Sequence, residues 1–190
     1  MIKNISVIGL GSMGFGIAQS LIRSGYNVYG QDKNTVQYKK LIEEGGLDAE
    51  IPFGDLDAVI IVVLNEAQTR DIIFGEEGIA EKLKKDTLVI VCTTVSPNFA
   101  KEMAAACENK ELLYLDAPIS GGSIKSSQGK LSYMVSGSKN ALIAAKPILD
   151  STSETVFEFG EVVGSGSAMK AVNQMLAGVH IAAMAEAITF

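Results

Sequence analysis

Three glycines near the N-terminus follow a G-x-G-x-x-G pattern, in the segment Gly9-Leu10-Gly11-Ser12-Met13-Gly14. The β-branched run before them predicts a buried strand, and the apolar residues at helical spacing after them predict a helix. At such a turn the first glycine permits the tight bend, the second lets the backbone approach a pyrophosphate, and the third lets the helix pack closely on the sheet. The N–H groups of the helix N-terminus can then bind phosphate oxygens. The segment therefore predicts a dinucleotide-binding site.

An acidic residue, Asp32, follows the second predicted strand. A carboxylate at this position can accept hydrogen bonds from both ribose hydroxyls of NAD and would repel a 2′-phosphate, so NAD is favoured and NADP is less favoured. Lys33 and Lys39 lie close enough to weaken that preference. In an alternative interpretation, Asp32 caps the helix predicted to begin near Asn34.

A second glycine-rich segment runs from Asp116 to Gly122 and ends in Ser120-Gly121-Gly122. The glycines allow successive backbone N–H groups to converge, and such a loop can form an anion-binding nest for a substrate carboxylate. An ordinary turn explains the same residues and stays open as the alternative.

Three polar residues share one face of the last predicted helix, because Lys170, Asn173 and Gln174 stand at i, i+3 and i+4. Residues 175–190 are nearly all apolar, and a helix that is apolar on every side must be buried. We therefore expect a further domain or another subunit to cover it, which predicts a homo-oligomer through the helical region and a longer parent protein. His180 roughly shares a face with Lys170; a core histidine is favoured over a substrate ligand.

The elements that would position these residues alternate between strands and helices. This alternation predicts an α/β fold with a doubly wound, Rossmann-type parallel sheet over residues 1–163, and a long helix begins in residues 164–190. The unbroken apolar run at 57–64 is typical of a parallel strand covered on both faces. We also expect a short strand at 48–51 and a helix at 78–83. Four polar residues directly follow predicted strands and are expected on the cofactor side of the sheet: Asn65, Thr93, Thr94 and Asp116.

Net charge, cysteine spacing and hydropathy limit the kinds of partner and the location that we expect for the protein. The 190 residues carry a net charge of −6, which argues against nucleic acid. The two cysteines, Cys92 and Cys107, lack metal-ligand spacing, so no metal is indicated, and they are interpreted as reduced thiols of a cytoplasmic protein. The first strand follows almost directly after the N-terminus and leaves no room for a signal peptide, and no uninterrupted apolar run is expected to span a bilayer. A small-molecule substrate is the expected partner.

Three motifs together resemble the β-hydroxyacid dehydrogenase family, which includes 3-hydroxyisobutyrate dehydrogenases and tartronate semialdehyde reductases. They are the glycine segment from Gly9 to Gly14, the loop from Asp116 to Gly122, and Gly164-x-Gly166-x-x-x-Lys170 with Asn173. The resemblance covers the whole chain. It implies a C-terminal all-helical domain beyond these residues, reached through the last helix, and one further cofactor-contacting lysine there.

The resemblance also implies roles for individual residues. Lys170 would be the general acid/base, with Asn173 beside it, and burial would lower the pKa of the amine toward neutral pH. Ser120, Gly121 and Gly122 would hold the substrate carboxylate. The remaining cofactor contacts would come from the glycine segment, Asp32 and three residues near the nicotinamide: Leu64, Asn65 and Thr94.

Two departures from the family pattern narrow the substrate. Leu64-Asn65 stands where most relatives have Leu-Pro, and Gln174 stands where several carry a second asparagine. Both favour a sugar-acid subgroup. Residues 174–183 and 62–68 resemble the L-threonate-oxidising members of the family, and this resemblance implies NAD-dependent oxidation of L-threonate at the hydroxyl next to its carboxylate. 3-Hydroxyisobutyrate or the tartronate semialdehyde pair is the alternative. A module that binds NAD without turnover stays open, whereas Gly14 and the lysine motif disfavour a Rossmann methyltransferase.

Overall fold

The computed structural model describes residues 2–190 and contains eight strands and seven α-helices over that range. The strands are β1 Asn4–Ile8, β2 Asn27–Gln31, β3 Ala58–Ile61, β4 Leu88–Val91, β5 Leu113–Asp116, β6 Ile119–Ser120, β7 Leu131–Gly137 and β8 Ser153–Glu158. The helices are α1 Gly14–Arg23, α2 Thr35–Glu43, α3 Glu66–Phe74, α4 Pro97–Glu108, α5 Gly122–Ser127, α6 Lys139–Thr152 and α7 Ser165–Thr189.

The strands form one sheet in the order β2-β1-β3-β4-β5-β7-β6, with β8 paired to β7. The first five strands are parallel, as the doubly wound prediction requires. β7 runs antiparallel to β5, a direction that the alternation of strands and helices in the first 115 residues does not predict. The chain between these strands contains only β6 and the six-residue helix α5, which packs on α1. At about 1.5 Å per residue, α5 is too short to carry the chain back across the sheet.

Apolar side chains pack on both faces of this sheet. Every residue of β3 and β4 is buried, which confirms the interpretation of their unbroken apolar runs. One cluster lies under α1 and α6, and the other lies under α3 and α4. The two layers hold the carboxyl ends of the parallel strands in a fixed row, and polar loops follow at that edge.

Two local predictions are wrong. Residues 78–83 form turns rather than a helix, because the N–H groups of Ile79 and Ala80 donate to carbonyls of Ile72 and Ile73 in the preceding helix α3. Residues 48–51 form no strand. Next to them only the N–H of Leu47 bonds to the neighbouring strand β2, at Val28 O.

Helix α7 leaves the body of the chain. Its residues after Lys170 are exposed apart from the half-buried Asn173, although the all-round apolar pattern predicts burial. Within residues 2–190, α7 is the one helix long and apolar enough to cross a membrane by length and composition alone, although Asn173, Gln174, His180 and Glu186 interrupt its apolar run. Exposed apolar surface of this extent marks an interaction surface.

Candidate functional site

A cavity of about 420 Å³ opens where the parallel strands end. Ligands of doubly wound sheets bind at this edge. Its walls come from the glycine segment, the loops after β3 and β4, the β6–α5 loop and the start of α7. The lining residues are Met13, Val62, Val63, Leu64, Cys92, Thr93, Thr94, Ile119, Ser120, Gly121, Gly122, Lys170 and Gln174. The structure thus brings together three motifs that lie between residues 9 and 173 of the sequence.

The glycine segment has the geometry that a dinucleotide requires. Gly9 has φ +94°, and a Cβ there would lie 2.1 Å from the carbonyl oxygen of Val62. A Cβ on Gly14 would lie 1.9 Å from the carbonyl oxygen of Gly9. A Cβ on Gly11 would meet no atom within 4 Å, so Gly11 faces open space where a phosphate can approach the backbone. Gly11 and Ser12 also border a second cavity, beside α1 and α5.

Asp32 lies at the end of β2 and is tied to this loop. Its Oδ2 accepts a hydrogen bond from the N–H of Leu10 at 2.6 Å, and its Oδ1 accepts one from the N–H of Asn34 at 2.7 Å. Asn34 itself caps α2, because its side chain accepts from the N–H of Val36. The alternative in which Asp32 is the helix cap is therefore wrong. The carboxylate fixes the glycine segment and stays half-buried at the expected ribose position.

The loop after β3 holds Leu64 and Asn65, which the sequence predicts near the nicotinamide, but only Leu64 lines the cavity. Leu64 lines the cavity and is 86% exposed. Asn65 does not line it, because its side chain caps α3 by accepting from the N–H of Gln68 at 2.9 Å. Thr94 lines the cavity as expected, and the neighbouring Thr93 is buried with its hydroxyl accepting from the N–H of Val63.

The β6–α5 loop forms one wall of the cavity. Ser120 ends β6, and Gly121 and Gly122 follow with φ +134° and +76°. These values favour glycine at both positions. All three residues line the cavity and lead directly into α5. Ser126 of α5 donates its hydroxyl to the carbonyl of Met13, which couples this loop to the glycine segment.

Lys170 reaches the same cavity from α7. It is 6% exposed, and burial lowers the pKa of its amine below the ordinary value of 10.5. Its Nζ donates to Oδ1 of Asn173 at 3.4 Å, a long contact. Gln174 also lines the cavity; the sequence places it on the same helix face as Lys170 but assigns it no role in the site. Among the lining residues that the structure describes, Lys170 is the only charged one.

Two residues lie elsewhere than expected. Asp116 follows the predicted strand but is fully buried beneath α7 and does not line the cavity. His180 is exposed ten residues after Lys170, about 15 Å along the helix, on the part of α7 that the sequence expects a further domain or subunit to cover, so its interpretation as a core histidine stays a prediction.

Comparison with known proteins places these features in a family. Residues 4–160 match the model described as the NAD binding domain of 6-phosphogluconate dehydrogenase. An L-threonate dehydrogenase of Haemophilus influenzae is 45% identical over 97% of this chain, and a 3-hydroxyisobutyrate dehydrogenase of Pseudomonas aeruginosa is 32% identical over 97%. The chain spans 63% of the length of each of these relatives.

The fold comparison agrees. The crystal structure of a 3-hydroxyisobutyrate dehydrogenase from Salmonella typhimurium superposes with a TM-score of 0.93 at 41% identity, covering 97% of this chain and 66% of that one. The glycine geometry, the strand order and the match over residues 4–160 lead to one conclusion. This chain belongs to the family of the NAD binding domain of 6-phosphogluconate dehydrogenase.

Proposed function

We propose that the protein is an NAD-dependent dehydrogenase that oxidises a hydroxyl of a small hydroxyacid, with Lys170 as the general acid/base. The observation that carries this proposal is the buried amine of Lys170, which shares a cavity with Met13 of the glycine segment and with Ser120 and Gly121. A general acid/base has to lie within hydrogen-bond reach of the substrate proton that it transfers, and the cavity gives the Lys170 amine that place beside the proposed cofactor site.

The charge of the cavity supports an acid as the substrate. Lys170 is the one charged residue among the described lining residues, and a cation in a cavity wall attracts anionic groups. The positive-φ pair Gly121 and Gly122 turns the backbone beside Ser120, as in nests that bind carboxylates through N–H groups. We assign the substrate carboxylate to this loop, which leaves the hydroxyl to be oxidised facing Lys170.

The residues of the glycine segment fit NAD, and so does Asp32. Bound NAD supplies the hydride acceptor. Gly11 leaves the space that a pyrophosphate needs, and the Asp32 carboxylate stands where it can accept from ribose hydroxyls. Leu64 and Thr94 line the cavity at the proposed nicotinamide end. The preference for NAD over NADP rests on Asp32, whose charge would repel a 2′-phosphate.

Lys170 supplies the proton chemistry. In the oxidation direction its neutral amine removes the proton of the substrate hydroxyl, while hydride leaves the carbon that bears this hydroxyl. The lowered pKa raises the fraction of neutral amine at a given pH, and in the reverse direction the ammonium returns the proton to the forming alcohol. Asn173 accepts from Nζ and holds the amine in one orientation.

L-Threonate is the substrate that we favour. The curated relative with 45% identity is named L-threonate dehydrogenase, and the cavity offers Ser120, Thr94 and Gln174 as partners for several hydroxyls. 3-Hydroxyisobutyrate is the second candidate, since the structural relative at 41% identity has that name. The tartronate semialdehyde pair is a third candidate within the same reaction class.

A substrate panel tests the proposal. NADH formation from NAD and NADPH formation from NADP are measured with L-threonate, D-threonate, 3-hydroxyisobutyrate and glycerate. We expect the highest kcat/KM for L-threonate with NAD. Turnover restricted to the three- and four-carbon acids with one or two hydroxyls would reject L-threonate, and faster turnover with NADP would reject the role of Asp32.

The exposed face of α7 supports a homo-oligomer through this helix, because its apolar side chains need a cover. Cys92 and Cys107 are both free and buried, which is consistent with the proposed cytoplasmic location.

A further inference from the structure

We propose that Asp116, Ser136 and Ser167 form a positioning cluster that fixes the start of α7 and so holds the amine of Lys170 in the cavity. This inference rests on the proposed function of Lys170, and it assigns a task to a buried acid that lies outside the cavity. None of the three residues lines the cavity, so none is proposed to contact substrate or cofactor.

The Asp116 carboxylate collects donors from two elements. Its Oδ2 accepts from the hydroxyl of Ser136 at 2.9 Å and from the N–H groups of Gly164 and Ser167 at 3.1 and 2.9 Å. Its Oδ1 accepts from the hydroxyl of Ser167 at 2.6 Å. Ser136 in turn accepts from the N–H of Gly166 at 3.1 Å. Three backbone N–H groups at the beginning of α7 thus donate hydrogen bonds to side chains of β5 and β7.

Helix α7 has no cap of its own. Its N-cap residue is Gly164, which has φ +93° and no side chain to accept from the first turn. The unpaired N–H groups of a helix start need acceptors, and here the acceptors come from the sheet. The start of α7 also packs closely on β7. A Cβ on Gly166 would lie 2.3 Å from the carbonyl oxygen of Met134 in β7, so only glycine permits this approach.

These contacts are the anchor of α7 against the sheet. The helix buries only Gly166, Ser167 and Lys170 among the residues that the structure describes. Ser167 and Lys170 are i and i+3, so they lie on the same face, one turn apart. A shift or rotation of the first turn therefore moves Lys170 directly. A displacement of about 1 Å at a reacting group can slow catalysis about a hundredfold.

A carboxylate suits this position better than an amide. Four donors face its two oxygens, and an amide offers one oxygen and turns two N–H groups toward the other donors. Asp116→Asn therefore keeps the shape of the side chain but removes acceptors for some of the four donors. Ser167→Ala is the milder variant, because it removes one hydroxyl and leaves the backbone donors in place.

The test separates positioning from simple loss of stability. Ser167→Ala, Ser167→Thr and Asp116→Asn are compared with Ser138→Ala, which removes a serine hydroxyl near a different helix start, the N-cap of α6. We expect kcat to fall at least tenfold in Ser167→Ala, with NAD Kd unchanged within twofold, and to return within threefold of wild type in Ser167→Thr. Ser138→Ala is expected to lose stability without a fall in kcat per NAD-binding site.

A readout without turnover keeps the inference separate from the proposed function. The Lys170 amine is titrated in the cofactor-free protein by NMR of ¹³Cε-lysine, with its signal assigned by its loss in Lys170→Arg. We expect its pKa to rise toward the ordinary lysine value in Ser167→Ala, because a displaced amine regains contact with water, and to stay unchanged in Ser138→Ala. An unchanged titration in both Ser167→Ala and Asp116→Asn overturns the inference, as does a Ser167→Ala kcat equal to wild type. A wild-type protein that oxidises no acid of the panel overturns the proposed function instead.

Discussion

Replacing Gly11 by alanine separates cofactor binding from folding more cleanly than any other change in the glycine segment. A Cβ at Gly11 would meet no protein atom within 4 Å, whereas a Cβ at Gly14 would lie 1.9 Å from the carbonyl oxygen of Gly9. Gly11 has no positive φ that would strain an alanine. Its methyl group would therefore be harmless in the empty protein and would stand where the pyrophosphate approaches.

The expected magnitudes differ accordingly. A methyl group that keeps phosphate oxygens from the backbone removes at least one charge-assisted hydrogen bond, worth about 1.5–3 kcal/mol. NAD Kd should then rise about 10- to 150-fold in Gly11→Ala. Gly14→Ala overpacks backbone against backbone and should lower the free energy of unfolding by about 1–3 kcal/mol. Gly54→Ala is the matched control, since the nearest atom to a Cβ there is 3.9 Å away and the turn lies outside the lining of both cavities.

The assay pairs calorimetric titration of NAD with thermal unfolding of the empty protein. We expect Gly11→Ala to match wild type in Tm within about 2 °C, which corresponds to roughly 0.5–1 kcal/mol for a chain of this size. Its NAD affinity should fall, and that of Gly54→Ala should not. An unchanged NAD Kd in Gly11→Ala would refute the placement of the pyrophosphate. A large fall in Tm would refute the claim that the space is open.

Further predictions follow from Lys170, Asp32 and α7. Lys170→Met should abolish oxidation and still raise the free energy of unfolding at pH 7 by about 1 kcal/mol, because it removes a buried charge. Since burial lowers the folded-state pKa of Lys170, this gain should be largest below that pKa and shrink as pH rises from it toward 10.5; chemical denaturation across pH checks the sign. The rate of oxidation should rise with pH through the Lys170 pKa and the rate of reduction should fall over the same window, so stopped-flow traces with the opposite slopes contradict the assignment. Asp32→Ser should shift the NADP/NAD ratio of kcat/KM at least tenfold toward NADP, and an unchanged ratio would place the ribose elsewhere. Sedimentation velocity should show that the chain self-associates through α7, where Met175 and Ile181 are 62% and 69% exposed. The double variant Met175→Lys, Ile181→Lys should weaken this self-association. A wild-type chain that stays monomeric at high concentration contradicts the prediction.

Local patterns were sufficient where they determine local geometry. The glycine segment predicts its strand-to-helix turn because backbone carbonyl oxygens lie so close to Gly9 and Gly14 that no side chain fits there. Ser96-Pro97 likewise begins α4, with the serine accepting from the N–H of Phe99. The apolar run of β3 predicts burial on both faces because no polar residue interrupts it. Each of these signals lies within a few residues.

Other features depend on contacts that no local pattern encodes. The turns at 78–83 replace a helix because carbonyls at the end of α3 accept from that segment. Asn65 was predicted at the cofactor but caps α3, since Gln68 places an N–H within reach of its side chain. Asp116 looks like any polar residue after a strand, and only the packing of α7 on β7 buries it. One signal was available: Ser167 stands one turn before Lys170, on the face that has to meet the sheet.

The central claim is that the amine of Lys170 transfers the proton of a hydroxyacid, and chemical rescue of Lys170→Ala measures this directly. Oxidation of L-threonate by NAD is followed in this variant with and without small primary amines of different pKa. We predict that turnover falls at least a thousandfold and that added amines restore part of it, with rates that rise with amine basicity. Wild-type turnover in Lys170→Ala without any added amine would contradict the account.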